Sequence, residues 1–345
     1  MRTSKIFMAV AMTAATFALG ACSNSDEPEV VDLTKPIQLD MSLGVVTRAA
    51  AYNPERQVFD EADAIGLYVA TSSTNEKAAM STIAADAPNA VKNVKFTKDA
   101  LSTSNVSASG WSGKIYWQST SLYHTIYAYS PYSEGLETSN RKIAFTLNAD
   151  QSGGTAYKDA DYLWYQSEAT SANASSNKVD MGHKMSRIKI ILKAEGSTDL
   201  TYAELKAMEL TILGTVKSKG TFDVAVGEIT ADANGQAELT SGLTPLRVEN
   251  DADETLSYYA IVLPGTEYGN NAGFISLAQT DAGGGTTTYL YSLAGDGGFS
   301  TQAGNEYVFT LTASKKGIDL GQFSIKTWGS GKGGNGDAGM VVPIP

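Results

Sequence analysis

The sequence predicts an all-β protein on three observations. Its apolar residues come in short runs rich in Val, Ile, Thr, Tyr and Phe. The runs are separated by clusters of Gly, Asn, Asp and Ser, and only residues 75–89 and 202–207 carry a weak helical pattern. β-branched and aromatic side chains suit a pleated, half-buried surface, whereas Gly, Asn and Asp supply the turns between strands.

The amino end reads first as an address. Arg2 and Lys5 precede an uncharged stretch, residues 6–19, and then "LGAC", which ends at Cys22. That apolar run is too short to cross a bilayer, so residues 1–21 read as a secretory signal with a lipobox. Cys22 is the only cysteine, which excludes a disulfide within one chain and metal sites built from several cysteines. Its alternative reading is an ordinary buried thiol. The expected product is a lipidated Cys22 that anchors an exported chain to a membrane. Loss of residues 1–21 removes Arg2 and Lys5 and no acid, so the formal charge moves from −11 to −13. Such an acidic chain is a poor match for nucleic acid, whose phosphates call for clustered Lys and Arg.

Behind Cys22, "SNSDEPEVVD" is polar and acidic and reads as a tether. In "PIQLDMSLGVVTRAA" the residues Ile37, Leu39, Met41, Leu43 and Val45 take every second position, with Gln38, Asp40, Ser42 and Gly44 between them. This is the period of a half-buried first strand. A basic residue among small ones, Thr47-Arg48-Ala49-Ala50-Ala51, then ends the pattern and reads as a loop.

Downstream, strands are expected at 64–70, 114–118, 123–132, 141–147 and 161–166 in a first unit. A second unit is expected from 187–194, 208–216, 220–226, 256–264, 273–279, 287–293 and 306–313. Between them, "SEATSANASSNKVDMGH" is small and polar and reads as a domain junction or long loop. About 295 residues are also more than one core usually serves, which favours two domains. Asn234-Gly235 signals a hairpin turn. The end, "GSGKGGNGDAGMVVPIP", joins a glycine tract to an apolar strip.

No catalytic set assembles, no cofactor is expected, and the chain does not read as an enzyme. The chain has two histidines, His124 and His183, and neither has a nucleophile or further ligands at a diagnostic spacing, so both read as packing or hydrogen-bonding residues. "GKGGNG" (331–336) spells a dinucleotide motif, but no helix can follow it to bind pyrophosphate. The acidic sets Asp150, Asp159, Asp161 and Asp251, Asp253, Glu254 lack EF-hand spacing and read as solvated turns. Trp111, Tyr116, Trp117, Tyr123, Tyr127, Tyr129 and Tyr132 form either a sugar-stacking face or cross-strand core, the latter being the more ordinary use.

A series of ordered signposts resembles the fimbrillins, which build type V pili of Bacteroides-type bacteria. They are the lipobox at Cys22, "VVTRAA" around Arg48, "IYW" and "IYAYSPY", "DYLWYQ", "HKMSRIKIIL", "YYAIVLPG", "AGNEYVFTLTA" and "FSIKTWGSG". Asp26, Glu27 and Glu29 resemble the acidic residues that direct such lipoproteins to the cell surface. The resemblance implies two tandem transthyretin-like Greek-key β-sandwich domains, at 49–181 and 182–328. It also implies a lipidated leader with a removable first strand (22–48) and a tether with a candidate donor strand (329–345). It implies that an arginine-specific protease cuts between Arg48 and Ala49, and that other pilus subunits are the partners. The outer membrane would hold the precursor through the lipid on Cys22 until it joins a fimbrium.

The physics of such an exchange follows from the residues themselves. Five alternating side chains, each worth about 1.5–3 kcal/mol when buried, represent about 8–15 kcal/mol gross. On an extended tail Met340, Val342 and Ile344 share one face and would recover roughly 5–9 kcal/mol. Pro343 and Pro345 lack amide donors, so this tail fits a tip or anchor subunit as well as a stalk subunit. A surface lipoprotein or adhesin that binds glycan or host protein is the alternative reading.

Overall fold

The computed structural model describes residues 31–42, 54, 59, 61, 63–83, 90–98, 110–136, 140–196, 199–214, 216–232, 241–269, 272–293, 298–328 and, for the backbone alone, 340–341. The chain is all-β. Strand β1 (Leu39–Ser42) precedes β2 (Ala64–Ser72), a 3-10 turn (Met80–Thr82), β3 (Val94–Lys98), β4 (Trp111–Ser112), β5 (Tyr123–Ser130) and β6 (Lys142–Thr146). Helix α1 (Gly154–Asp159) is followed by β7 (Leu163–Gln166), β8 (Thr170–Ser171), β9 (Asn177–Asp180), β10 (Gly182–His183) and β11 (Ser186–Ala194). Helix α2 (Tyr202–Lys206) leads to β12 (Glu209–Ile212), β13 (Lys219–Asp223), β14 (Glu228–Ala231), β15 (Leu246–Asn250) and β16 (Thr255–Val262). The remainder is β17 (Glu267–Tyr268), β18 (Gly273–Thr280), β19 (Thr286–Ser292), β20 (Phe299–Ser300), β21 (Asn305–Ser314), β22 (Gly317–Thr327) and β23 (Met340–Val341).

Two sheets dominate. One runs β10-β7-β5-β2-β3-β4 with β8 beside β5, and the other runs β15-β16-β11-β21-β22-β23. Smaller sheets are β12-β18-β19, β14-β13-β6, β17-β20 and the pair β1-β9. The central strands are buried on both faces, which is why they read as nearly continuous apolar runs. On β2, Ile65, Leu67 and Val69 join one core while Tyr68 and Ala70 join another. Strand β5 divides likewise, with Ile126 and Ala128 on one side and Tyr127 and Tyr129 on the other. On β16, Tyr259 and Ile261 enter that second core, and Leu256, Tyr258, Ala260 and Val262 enter a third. Among the described residues there are thus an amino-terminal core, a carboxy-terminal core and a middle core fed by both halves of the chain.

The middle core is also tied by backbone pairing. β6 from the first half pairs antiparallel with β13 of the second, Ile143 opposite Phe222 and Phe145 opposite Gly220. Gln151 is fully buried, and its amide donates to the Ile261 carbonyl and accepts from the Ile261 N–H, both at 2.8 Å. β15 pairs with β16 only as far as Tyr259, so this side chain completes the ladder where the edge strand ends. Two glycines are required by close approach. A Cβ at Gly66 would lie 2.0 Å from the Tyr129 ring. Gly227 closes the β13–β14 turn at φ +71°, with the Trp164 ring 2.3 Å from where a Cβ would sit.

The structure departs from the sequence expectations at several points. Residues 114–117 bury Ile115 and Trp117 alternately, as a strand does, but join no ladder. The polar stretch 167–183, expected as a junction or loop, contains β8, β9 and β10, and it buries Val179 and Met181. α1 was not expected; it is a short helix without a side-chain cap that buries Tyr157. α2 forms where expected and has a capping box, in which Thr201 and Glu204 bond each other's backbone N–H. The hairpin expected at Asn234-Gly235 lies outside the described residues.

Candidate functional site

The first strand is seated in a slot on the amino-terminal core. Ile37 and Leu39 are 7% and 5% exposed and Met41 is half-buried, whereas Gln38 and Asp40 between them face out. The predicted alternation is therefore present over residues 37–41. Ile37 and Leu39 belong to the core that also holds Ile65, Leu67, Ile115, Trp117, Leu163 and Val179.

Backbone groups hold the strand from two sides. The Ile37 N–H donates to the Ile115 carbonyl at 2.8 Å, so the extended segment at 114–117 forms one wall. The other wall is β9, which runs parallel to β1 with Leu39 opposite Asn177, Asp40 opposite Lys178, Met41 opposite Val179 and Ser42 opposite Asp180. Asn177 donates to the Gln38 carbonyl at 2.8 Å and Met181 to the Ser42 carbonyl at 2.9 Å, extending the pairing at both ends. Among the described residues, β1 is the only strand with which β9 makes a ladder. β9 is otherwise propped by side chains: the Tyr165 hydroxyl donates to the Lys178 carbonyl, and the Trp117 indole donates to the Asn173 carbonyl just upstream, each at 2.7 Å.

The rim of the slot is polar. Ser42 donates to the Asp180 carboxylate, and Lys178 pairs with the same group. The hydrogen bond to Asp180, its charge and a smaller contribution from Asp40 raise the Lys178 ammonium above its ordinary range. Beside Trp117, His124 is fully buried and its Nε2 accepts from the Gln118 N–H at 3.3 Å; its ring lies 4.8 Å from that of Trp117. Burial lowers its pKa below the usual 6.5, opposed by a hydrogen bond with the Thr170 backbone.

At the other end of the chain, β23 pairs antiparallel with β22, Met340 opposite Ile325 and Val341 opposite Ser324. Two residues of the candidate donor tail thus extend the edge of the chain's own second large sheet. Of the residues singled out in the sequence, Cys22, Asp26, Glu27, Glu29, Leu43, Val45, Arg48, Ala49, Val342, Pro343, Ile344 and Pro345 are among those outside the described residues. What sequence reasoning missed is β9. Its one signal is the inward pair Val179 and Met181 within a polar run.

The other candidates have structural roles here. His183 bonds Asp161 at 2.8 Å and stacks on Trp328 at 3.8 Å. Asp150 caps a turn through Ser152, and Asp251 binds Tyr202 and Lys206. Trp111, Trp117, Tyr127 and Tyr129 are buried in the cores, which leaves Tyr116, Tyr123 and Tyr132 partly exposed from the expected aromatic set.

A model of the fimbrillin-like family matches residues 47–328. A Bacteroides uniformis protein named as fimbrium subunit Fim1C is 26% identical over 333 residues, covering 93% of this chain and 94% of that protein. A crystal structure of a protein described as a cell adhesion protein, also from B. uniformis, superposes with a TM-score of 0.54 at 20% identity. It covers 86% of this chain and 99% of the other. A second, from Bacteroides ovatus, gives a TM-score of 0.57 at 19% identity over 85% and 98% of the two chains. These two likenesses show a shared fold.

Proposed function

The chain belongs to the fimbrillin-like family, and from that premise we propose that it is a structural subunit of a cell-surface pilus, exported as a lipoprotein precursor and assembled by donor-strand exchange. The observation that carries this reading is that β9, among the described residues, makes a ladder with β1 alone. A protease cut after Arg48 would release the leader through β1. Ile37 and Leu39 would then leave an apolar slot, and β9 would be left with bare ladder groups. An edge with that lining calls for a replacement strand, which supplies both backbone bonds and alternating side chains. The donor is a C-terminal tail from another subunit, bearing Met340, Val342 and Ile344 on one face. Donor and acceptor are different surfaces of one molecule, so the contact repeats head-to-tail into a filament. In this reading 49–181 and 182–328 are two transthyretin-like sandwiches, and lipid on Cys22 holds the precursor at the outer membrane.

The tail suits a tip or anchor position as well as one in the stalk. Pro343 and Pro345 withhold amide donors from any ladder, which weakens the chain as a donor while leaving its acceptor slot intact. A tip position would also present the subunit to a glycan or a host protein.

The test is Arg48→Ala in the producing cell. The variant should keep its leader and accumulate as a membrane-held precursor without joining filaments; normal filaments containing it would sink the proposal.

A further inference from the structure

Two stretches far apart in sequence meet at one buried cation. Arg187, on β11, is 3% exposed, and its Nη1 donates to the Pro54 carbonyl at 2.5 Å. Its Nη2 pairs with Glu306 of β21, which is fully buried. The second Glu306 oxygen pairs with Lys326 of β22 at 2.7 Å. The guanidinium carbon lies 5.0 Å from the centre of the Trp328 ring; that ring stacks on His183 at 3.8 Å, and the Trp328 backbone N–H donates to the Gly304 carbonyl at 2.7 Å. Pro54 lies shortly behind Arg48. Trp328 stands immediately before the glycine tract, and Lys326 is next to Ile325, the residue opposite Met340 of the tail.

We propose that Arg187 is a positioning residue that couples the seat of the chain behind Arg48 to the docking of the C-terminal tail on β22. A guanidinium is planar and offers its donors as a fixed fork, so an acceptor on one arm sets the plane that the other contacts must meet. Here the Pro54 carbonyl takes one arm, Glu306 takes another, and Trp328 lies within cation–π distance. If the Pro54 segment shifts, a buried N–H loses its acceptor and the plane turns to seek another. Glu306 and Trp328 then each lose one of the partners that fix them, leaving Lys326 and His183, and the end of β22 on which β23 pairs is held less firmly. The two ends of the chain would thus be linked: whatever repositions the segment behind the processing site also loosens the tail. The use of this link in assembly rests on the proposed cut after Arg48; the link itself does not.

The test is a double-substitution cycle on the full uncut chain, read by amide hydrogen exchange. Pro54→Gly frees the backbone at the carbonyl, and Arg187→Lys removes the fork while keeping the charge. Exchange is followed at residues 324, 325, 340 and 341, with β18 amides as the internal reference for global folding. Each single variant should raise exchange about tenfold at those of the four amides that bond across the β22–β23 pair, with β18 unchanged, and the double variant should be no faster than either single. Unchanged exchange in Pro54→Gly, or a double variant in which the two effects multiply, would overturn the coupling. If Arg187→Lys also exposes β18, Pro54→Gly alone decides it. Absence of a cut after Arg48 would show in the filament's N-terminus and would leave these rates untouched.

Discussion

The two ends of this chain are both strands laid against an edge, yet they are attached in different ways. β1 contributes Ile37 and Leu39 to a core and is the one ladder partner of β9 among the described residues. β23 contributes two residue pairs to a sheet that already has five other strands. The difference teaches where the described contacts of each end lie: in buried side chains and a neighbour with no other ladder partner at the amino end, and in the backbone pairing of two residues at the carboxy end. In the proposed exchange, a donor tail would give up that two-residue pairing and gain a slot lined by apolar side chains.

The comparison can be broken most directly by starting the chain at Ala49, without the residues that precede it. Burial of Ile37 and Leu39 predicts a loss of about 3–6 kcal/mol, an upper figure because the unfolded chain is partly compact. Chemical denaturation measures it, and an unchanged midpoint would show that β1 is an ornament of the fold. Leu39→Ala narrows the effect to one side chain, with an expected cost of about 2–4 kcal/mol by the same assay, well above that of Met41→Ala at the half-buried position. Ending the chain at Trp328 should cost only about 1–2 kcal/mol, since it deletes the β23 pairing. A cost equal to that of leader removal would erase the asymmetry.

Acid should weaken the amino-terminal core in particular. Burial holds the folded-state pKa of His124 below 6.5, so the unfolded chain binds the proton more readily. Its contribution is then fully present above 6.5 and is lost as the pH falls through that value toward the folded-state pKa. Denaturation midpoints between pH 7 and 5 should drop less in His124→Gln than in the parent; equal slopes would assign the acid sensitivity to other groups. The smallest expected effect is at the rim. Lys178→Ala removes an exposed partner of Asp180 and should leave the denaturation midpoint where it was.

The long buried strands were legible because period and composition agreed in them. Residues 64–70, 187–194, 256–264 and 306–313 are rich in apolar and aromatic side chains, and they form β2, β11, β16 and β21 close to the expected bounds. The signal failed where polar residues and glycine interrupt a strand's run. β22 mixes Gly, Asp, Gln and Lys into its run, and its Gly321 falls at a bulge opposite Thr310 and Leu311. β9 is hidden for a related reason: Lys178 is exposed and Asn177 and Asp180 are half-buried polar residues, so only Val179 and Met181 mark it. The first strand was visible from its alternation, but its partner was not, because parallel pairing over more than a hundred residues leaves no local trace. In the aromatic run 123–132 the alternation is masked by burial on both faces, which turns Tyr127 and Tyr129 inward instead of toward a ligand.

The measurement that bears most directly on strand replacement is the N-terminus of this protein in filaments sheared from the cell surface, determined beside the membrane-held fraction. Ala49 as the first residue in the filaments, with the leader present only in the membrane fraction, is the predicted result. A lipidated Cys22 at the start of every copy, filament-borne copies included, would mean that β1 never leaves its slot, and it would contradict the account.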